Sequence, residues 1–72
     1  MSGTMELLIL KTGPHYIRVK EGQFIQTGLD KASVFPMAQK KQVQAHAAAL
    51  KRQGAQGVVI KKLILTEEDY QP

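Results

Sequence analysis

The chain has 72 residues and no cysteine, so it is expected to be one small domain with a small hydrophobic core. The lack of cysteine excludes disulfides, thiolate zinc sites and cysteine nucleophiles. The formal net charge of +4 suits partners that carry negative charge. No apolar run approaches the roughly 20 residues of a membrane-spanning helix, and we expect a cytoplasmic protein that does not bind membranes.

The first half of the chain is predicted to form three short strands. Residues 1–4 are small and polar and are expected to be a disordered N-terminus, ahead of a single domain over residues 5–66. A first strand is predicted over residues 5–11, where four large aliphatic side chains stand in a row, and it ends in a turn of glycine and proline. Residues 15–27 are predicted to form a hairpin that turns at Glu21 and Gly22.

The second half is predicted to contain one helix and a last strand. Residues 32–35 form a short extended piece, and Pro36 suits the first position of a helix. Residues 37–53 are nearly all strong helix formers, and the helix is expected to end at Gly54. A strand over residues 58–65 and an acidic tail over residues 67–72 follow.

Together these elements predict an α+β domain with the order β-β-β-α-β. It has a small three- to four-stranded sheet, and a crossover through the helix to a parallel last strand places one amphipathic helix on one face of that sheet. A stripe at helical spacing should face the core, and it consists of Val43, His46, Ala47 and Leu50.

Two of the predicted strands are apolar on both faces, which raises the question of what covers the second face. The sequences LLIL at 7–10 and VVI at 58–60 followed by LIL at 63–65 are typical of strands covered on both sides. One helix can cover only one side, so we expect an exposed apolar face that serves as an interaction site. The alternative is that the loop around residues 26–34 folds across this face and hides it.

The cations are concentrated in the second half of the chain. From Lys31 to Lys62 there are seven basic residues and no acidic one. Lys51 and Arg52 are favoured by the helix dipole, but Lys40 and Lys41 lie near the end of the helix where cations are disfavoured. The candidate residues for binding a partner or phosphates are Lys40, Lys41, Gln44, Lys51, Arg52, Lys61 and Lys62. The alternative is a charged surface that only keeps the protein in solution.

The helix sequence KKQVQAHAAALK at 40–51 resembles the start of the C-terminal helix of double-stranded RNA-binding domains. The resemblance implies that Lys40, Lys41 and Gln44 contact phosphates across a groove, with Val43, Ala47 and Ala48 on the side that packs against the domain. The chain has no N-terminal helix of the kind those domains insert into the minor groove.

The layout of short strands, an A-x-V-F piece before the helix and a final strand is similar to small α+β proteins of bacteriophages and prophages. This resemblance implies a non-catalytic protein that binds a host component.

We find no pattern typical of an enzyme. The six acidic residues do not pair as an acid and a base, Ser33 has no histidine at a suitable offset, and no glycine-rich phosphate loop is present. His15 and His46 are too far apart in sequence for a metal motif. No catalytic residue, metal, cofactor or small-molecule substrate is therefore expected.

Two functions stay open from the sequence. The first is a binding module that self-associates or docks on an acidic protein partner, using an exposed sheet face together with the cations of the helix. The second is binding of double-stranded RNA or DNA through the basic helix. In either case the acidic tail could fold back and mask the helix cations.

Overall fold

The structure is a computed structural model, and it describes residues 3–70. These residues form five strands and one helix, and short 3-10 turns at Leu29–Lys31 and Met37–Gln39 precede β4 and α1. The elements are β1 (Thr4–Thr12), β2 (His15–Lys20), β3 (Gln23–Thr27), β4 (Val34–Pro36), α1 (Lys40–Arg52) and β5 (Val58–Thr66).

β1 is the central strand of an antiparallel sheet. β5 pairs with one edge of β1 along its whole length, from Thr4 opposite Thr66 to Thr12 opposite Val58. The other edge of β1 is shared, because β2 pairs only with its last two residues and β4 pairs with residues 7–9. β3 pairs with β2. Since β4 and β5 both run antiparallel to β1, they are parallel to each other, and α1 connects them as predicted.

The α+β class is confirmed, and the sheet has one strand more than its predicted maximum of four. The extra strand is β4, in the segment expected to be a short extended piece. Its middle residue, Phe35, lies opposite Leu8 and is buried in the core. The order of elements is therefore β-β-β-β-α-β.

The core lies between α1 and one face of the sheet. Side chains alternate along a strand, so Leu8 and Leu10 point to the helix, whereas Leu7 and Ile9 point to the opposite face. The predicted stripe of the helix faces this core, with Val43, Ala47 and Leu50 buried and His46 partly buried. The buried core cluster consists of Leu8, Leu10, Ile17, Phe35, Val43, Ala47 and Leu50.

The start of the helix differs from the prediction. Pro36 is not its first residue, because its ψ of 156° is extended and it still pairs with Leu7 of β1. A single 3-10 turn follows, and the α-helix begins only at Lys40. The helix ends at Arg52, just before Gly54, whose φ of 92° favours glycine.

The two ends of the domain also differ slightly from expectation. Thr4 was expected in a disordered N-terminus but belongs to β1, because the strand finds a partner there in Thr66. Residues 67–70 follow β5 without regular structure. The expectations for Met1, Ser2, Gln71 and Pro72 fall outside the described residues.

Candidate binding surfaces

Within residues 3–70, no α-helix covers the face of the sheet opposite α1, here called the uncovered face. Ile9 lies on this face and is only 2% exposed, and Leu29 of the loop before β4 lines the same shallow recess. The middle of the face is therefore not open, and part of the loop lies beside it, as the alternative from the sequence proposed. Val59 and Leu65 on the same face are exposed. The prediction that apolar strand surface stays open is thus confirmed on this face for Val59 and Leu65, whereas Leu7 and Leu63 are partly buried.

β1 and β5 continue beyond the helix as a two-stranded ribbon. β4 ends at Pro36, opposite Leu7, and the chain leaves the sheet there for α1. Three more residue pairs of β1 and β5 follow, which is a projection of about 10 Å. These pairs, residues 4–6 with residues 64–66, are called the ribbon tip. Its large apolar side chains are exposed on both faces: Met5 is 60% exposed, Ile64 56% and Leu65 44%.

β5 is a long edge strand. All nine of its residues pair with β1, and within residues 3–70 no other strand pairs with its outer edge. A typical strand has five or six residues. A long unpaired edge offers a row of backbone donors and acceptors to another strand. A recess of about 460 Å³ beside Met5 and Leu65 adds apolar surface at the distal end of this edge.

The helix presents its predicted binding residues on one side, here called the helix basic face. At 3.6 residues per turn, these side chains span about a third of the helix circumference, from the border of the buried side to the side opposite the core. All of them are exposed, and α1 carries no acidic residue. The helix basic face consists of Lys40, Lys41, Gln44, Lys51 and Arg52.

No carboxylate neutralises the helix basic face within the described residues. The only ion pair in residues 3–70 joins Lys62 Nζ to Glu6 Oε2 at 3.4 Å. It lies on β1 and β5 and does not involve the helix. The described part of the acidic tail, through Tyr70, makes no ion pair with the helix cations, so masking by these residues is not observed.

The two cations of β5 are separated from each other. Lys62 pairs across from Leu8 and therefore lies on the helix side of the sheet, where it meets Glu6. Lys61 pairs across from Ile9 and lies on the uncovered face. The seven predicted residues thus form one group of five on the helix and two isolated positions on β5.

The aromatic residues belong mainly to the core. The His46 ring lies edge-on to Phe24, with 5.6 Å between centroids, and 5.7 Å from Phe35. This confirms the interpretation of His46 as a packed histidine of the helix stripe. Tyr16 lies at the rim of the uncovered face, where the Lys11 ammonium is 4.8 Å from its ring centroid.

The sequence alone does not single out Met5 or the edge of β5 as binding surface. Met5 stands in a segment that reads as the start of an ordinary strand, and its exposure depends on where β4 and α1 stop. The available signal is the charge order of the last strand, in which Lys61 and Lys62 precede three apolar residues and the acids Glu67 and Glu68 follow.

In residues 3–70, no group of three histidine or acidic side chains is arranged to hold a metal ion. No helix in that range is long and apolar enough to cross a membrane. Comparisons with protein-family models, with curated proteins and with solved structures found no match.

Proposed function

We propose that this chain is a non-catalytic binding module that docks on an acidic protein partner through the helix basic face. The observation that carries this proposal is the grouping of four cations on one exposed side of α1, with no acid on the helix and no ion pair to any of them in the described residues. Such a surface attracts negatively charged partners and raises their rate of association.

The exposed apolar side chains support a protein partner over a nucleic acid. Protein interfaces combine an apolar centre with a polar rim, whereas nucleic-acid interfaces are more polar and more strongly basic. Ile60 and Ile64 lie on the same side of the sheet as α1, and both are exposed. A protein partner that covers the helix basic face could also use this apolar surface.

The experiment compares two labelled probes by fluorescence anisotropy: a peptide rich in glutamate and aspartate, and a 20-base-pair RNA duplex. We expect the wild-type chain to bind the acidic peptide and K40A/K41A to bind it at least threefold more weakly. The matched control is R18A/K20A, which removes two exposed cations from β2. Because these lie away from the helix, the control should retain most of the wild-type affinity.

Several results would contradict this proposal. Absence of peptide binding at 50 mM salt would remove it, and equal weakening by both double variants would show attraction by net charge alone. Tighter binding of the RNA duplex, with an affinity that falls steeply with salt at a slope of about 0.9 per phosphate neutralised, would establish the second candidate instead. Nucleic-acid binding would use the same helix basic face, because Lys40, Lys41 and Gln44 match the phosphate-contacting positions in the resemblance to double-stranded RNA-binding domains.

A role like that of small phage proteins and a cytoplasmic location stay predictions from the sequence.

A further inference from the structure

We infer that a second copy of this chain pairs with the outer edge of β5, so that two β5 strands run antiparallel about a two-fold axis at Ile64. This goes beyond the proposed docking on an acidic protein, because it uses the edge of the sheet and not the helix. A second copy is the occupant that the charges along this strand select.

The edge of β5 is accessible for such pairing. Its backbone is used only on the side of β1, and seven of its nine side chains are exposed. α1 packs against both β1 and β5, but the ribbon tip extends past the helix and β4. Nothing in the described part of the chain covers the outer edge from Lys61 to Thr66.

The geometry of a symmetric pair restricts the possible registers. A two-fold axis perpendicular to the sheet keeps each side chain on its own face, so directly opposite residues must point to the same side. The sequence numbers of two directly opposite residues therefore have an even sum. In every such register one residue lies directly opposite the same residue of the second copy, and the two-fold axis passes between these two.

The register centred on Ile64 matches both charge and hydrophobicity. Ile64 faces Ile64 of the second copy, Leu63 faces Leu65, and Lys61 faces Glu67 on the uncovered face. Because of the two-fold symmetry, the Leu63–Leu65 contact and the Lys61–Glu67 contact each occur twice in the dimer. On the other face Lys62 is diagonal to Glu68 of the second copy. Opposite charges across strands stabilise a sheet, and so do apolar pairs. The pairing extends β5 by one residue, to Glu67.

Neighbouring registers match less well. Centring on Lys62 places two lysines opposite each other, which destabilises a strand pair. Centring on Leu63 places Lys61 opposite Leu65 and Lys62 opposite Ile64. Centring on Leu65 pairs Lys61 with Asp69 and Lys62 with Glu68, but it places Leu63 opposite Glu67 in both copies and requires the strand to continue three residues past its end at Thr66. The two lysines also protect the edge against unrelated apolar strands, as charged residues commonly do at sheet edges. They therefore select a partner strand that supplies acids at the right distance, and β5 of a second copy, extended to Glu67, is such a strand.

The size of the contact indicates a weak dimer. Seven residues from each copy take part, which buries less than the roughly 1,200 Å² at the lower limit of stable protein interfaces. We therefore expect an equilibrium between monomer and dimer that becomes visible between micromolar and millimolar concentrations. Sedimentation velocity across 10 μM to 1 mM measures it directly.

The decisive experiment mixes two charge variants, K61E and E67K. Each alone places like charges opposite each other twice, so each should dimerise about tenfold more weakly than wild type. In an equimolar mixture, the glutamate introduced by K61E faces the lysine introduced by E67K, and the native Lys61 and Glu67 face each other. The mixture should therefore associate within about threefold of the wild-type affinity. A contact within one chain cannot be restored by mixing.

A second pair of variants tests the axis itself. I64K places two lysines opposite each other in the dimer, whereas in the monomer the new lysine faces Glu6 on β1 and is tolerated. The matched control is I25K on β3, another exposed isoleucine outside the contact. I64K should abolish association up to 1 mM, and I25K should leave it unchanged.

The inference is overturned if the wild-type chain is monomeric at 1 mM, if I64K associates like wild type, or if the mixed charge variants fail to restore association. Circular dichroism of each variant establishes that it is folded before it is compared. Failure here leaves the acidic-partner proposal intact, because the peptide assay uses no variant of β5.

Discussion

Gly57 lies where the chain returns from α1 to the sheet, close to the turn between β1 and β2. Its carbonyl oxygen accepts a hydrogen bond from the Gly13 N–H, with 3.2 Å between nitrogen and oxygen. Its φ is +66°, and a methyl group at this position would lie 3.1 Å from the Gly13 nitrogen. Glycine is therefore required both by backbone conformation and by close approach.

We expect Gly57→Ala to lower the free energy of unfolding by about 2 kcal/mol, because left-handed backbone strain adds to crowding against Gly13. Urea denaturation measures this loss. The control is Gly22→Ala, where φ is +75° but nothing lies within 4 Å of the added methyl group. Gly22→Ala should lower the free energy of unfolding only by the backbone strain, about 1 kcal/mol. Equal losses in the two variants would show that the approach to Gly13 does not matter.

Thr12 is buried at the end of β1, and its hydroxyl oxygen has no hydrogen-bond partner among residues 3–70. Burying an unpaired hydroxyl is unfavourable, and valine has nearly the same shape without it. We therefore expect Thr12→Val to raise the free energy of unfolding by about 1 kcal/mol. Thermal unfolding followed by circular dichroism is the measurement. A destabilised variant would show that the hydroxyl has a partner in solution.

Ser33 connects β2 to the segment that leads into β4. The Val19 N–H donates to Ser33 Oγ at 2.8 Å, and the Ser33 N–H donates to the Ile17 carbonyl oxygen at 3.1 Å. Ser33→Ala leaves the partly buried Val19 N–H without its acceptor. Such losses cost about 1 to 3 kcal/mol. We expect faster hydrogen exchange of the Val19 amide in this variant, with the exchange of α1 unchanged.

At the scale of elements, the cations of α1 interact unfavourably with the helix dipole in the first turn and favourably in the last turn. Lys40 and Lys41 occupy the first turn, which has no acid and no side-chain cap, whereas Lys51 and Arg52 occupy the last turn. The helix dipole favours the opposite sign at the first turn. Two cations kept at an unfavourable position are consistent with a role in binding, because stability alone would select acids there.

Reversing the charge at the two ends of the helix should therefore have opposite effects on stability but the same effect on binding. Lys40→Glu should raise the free energy of unfolding by about 0.5 kcal/mol, whereas Lys51→Glu should lower it by a similar amount. Both should weaken binding of the acidic peptide, because both reduce the charge of the helix basic face. If Lys40→Glu kept full peptide affinity, the first turn would have no part in docking.

Local patterns in the sequence account for most of the elements. The hairpin from β2 to β3 is predictable because Glu21 and Gly22 form a two-residue turn with positive φ at both positions. The buried side of α1 follows from the spacing of Val43, Ala47 and Leu50. These features depend on residues close together in the chain.

The strand β4 and the covering of Ile9 are not predictable in this way. β4 has three residues and includes a proline, so only its pairing with β1, more than 20 residues away in sequence, makes it a strand. Ile9 is buried on a sheet face that carries no helix, and Leu29, from a loop of weak local preference, lines the same recess. The grouping of the helix cations was visible in the sequence, whereas the placement of Lys61 and Lys62 on opposite faces required the register of β5.

At the scale of the whole molecule, the protein is elongated, at 45 × 26 × 23 Å, with a radius of gyration of 13.7 Å. A compact chain of this length would have a radius of about 11 Å. The difference follows from the ribbon of β1 and β5, which extends past the helix. One helix of 13 residues covers only part of one sheet face. Apolar surface and a strand edge therefore stay open, and this is the central claim about the molecule.

Hydrogen exchange of the β5 amides, measured by NMR at 20 μM and at 1 mM, tests this claim most directly. At the lower concentration, the amides on the outer edge, every second one along residues 61–67, should exchange fast. At the higher concentration, the same amides should be protected, while those of β3 stay unchanged. Slow exchange of all β5 amides at the lower concentration would mean that the edge is already covered within the monomer, and would contradict the account.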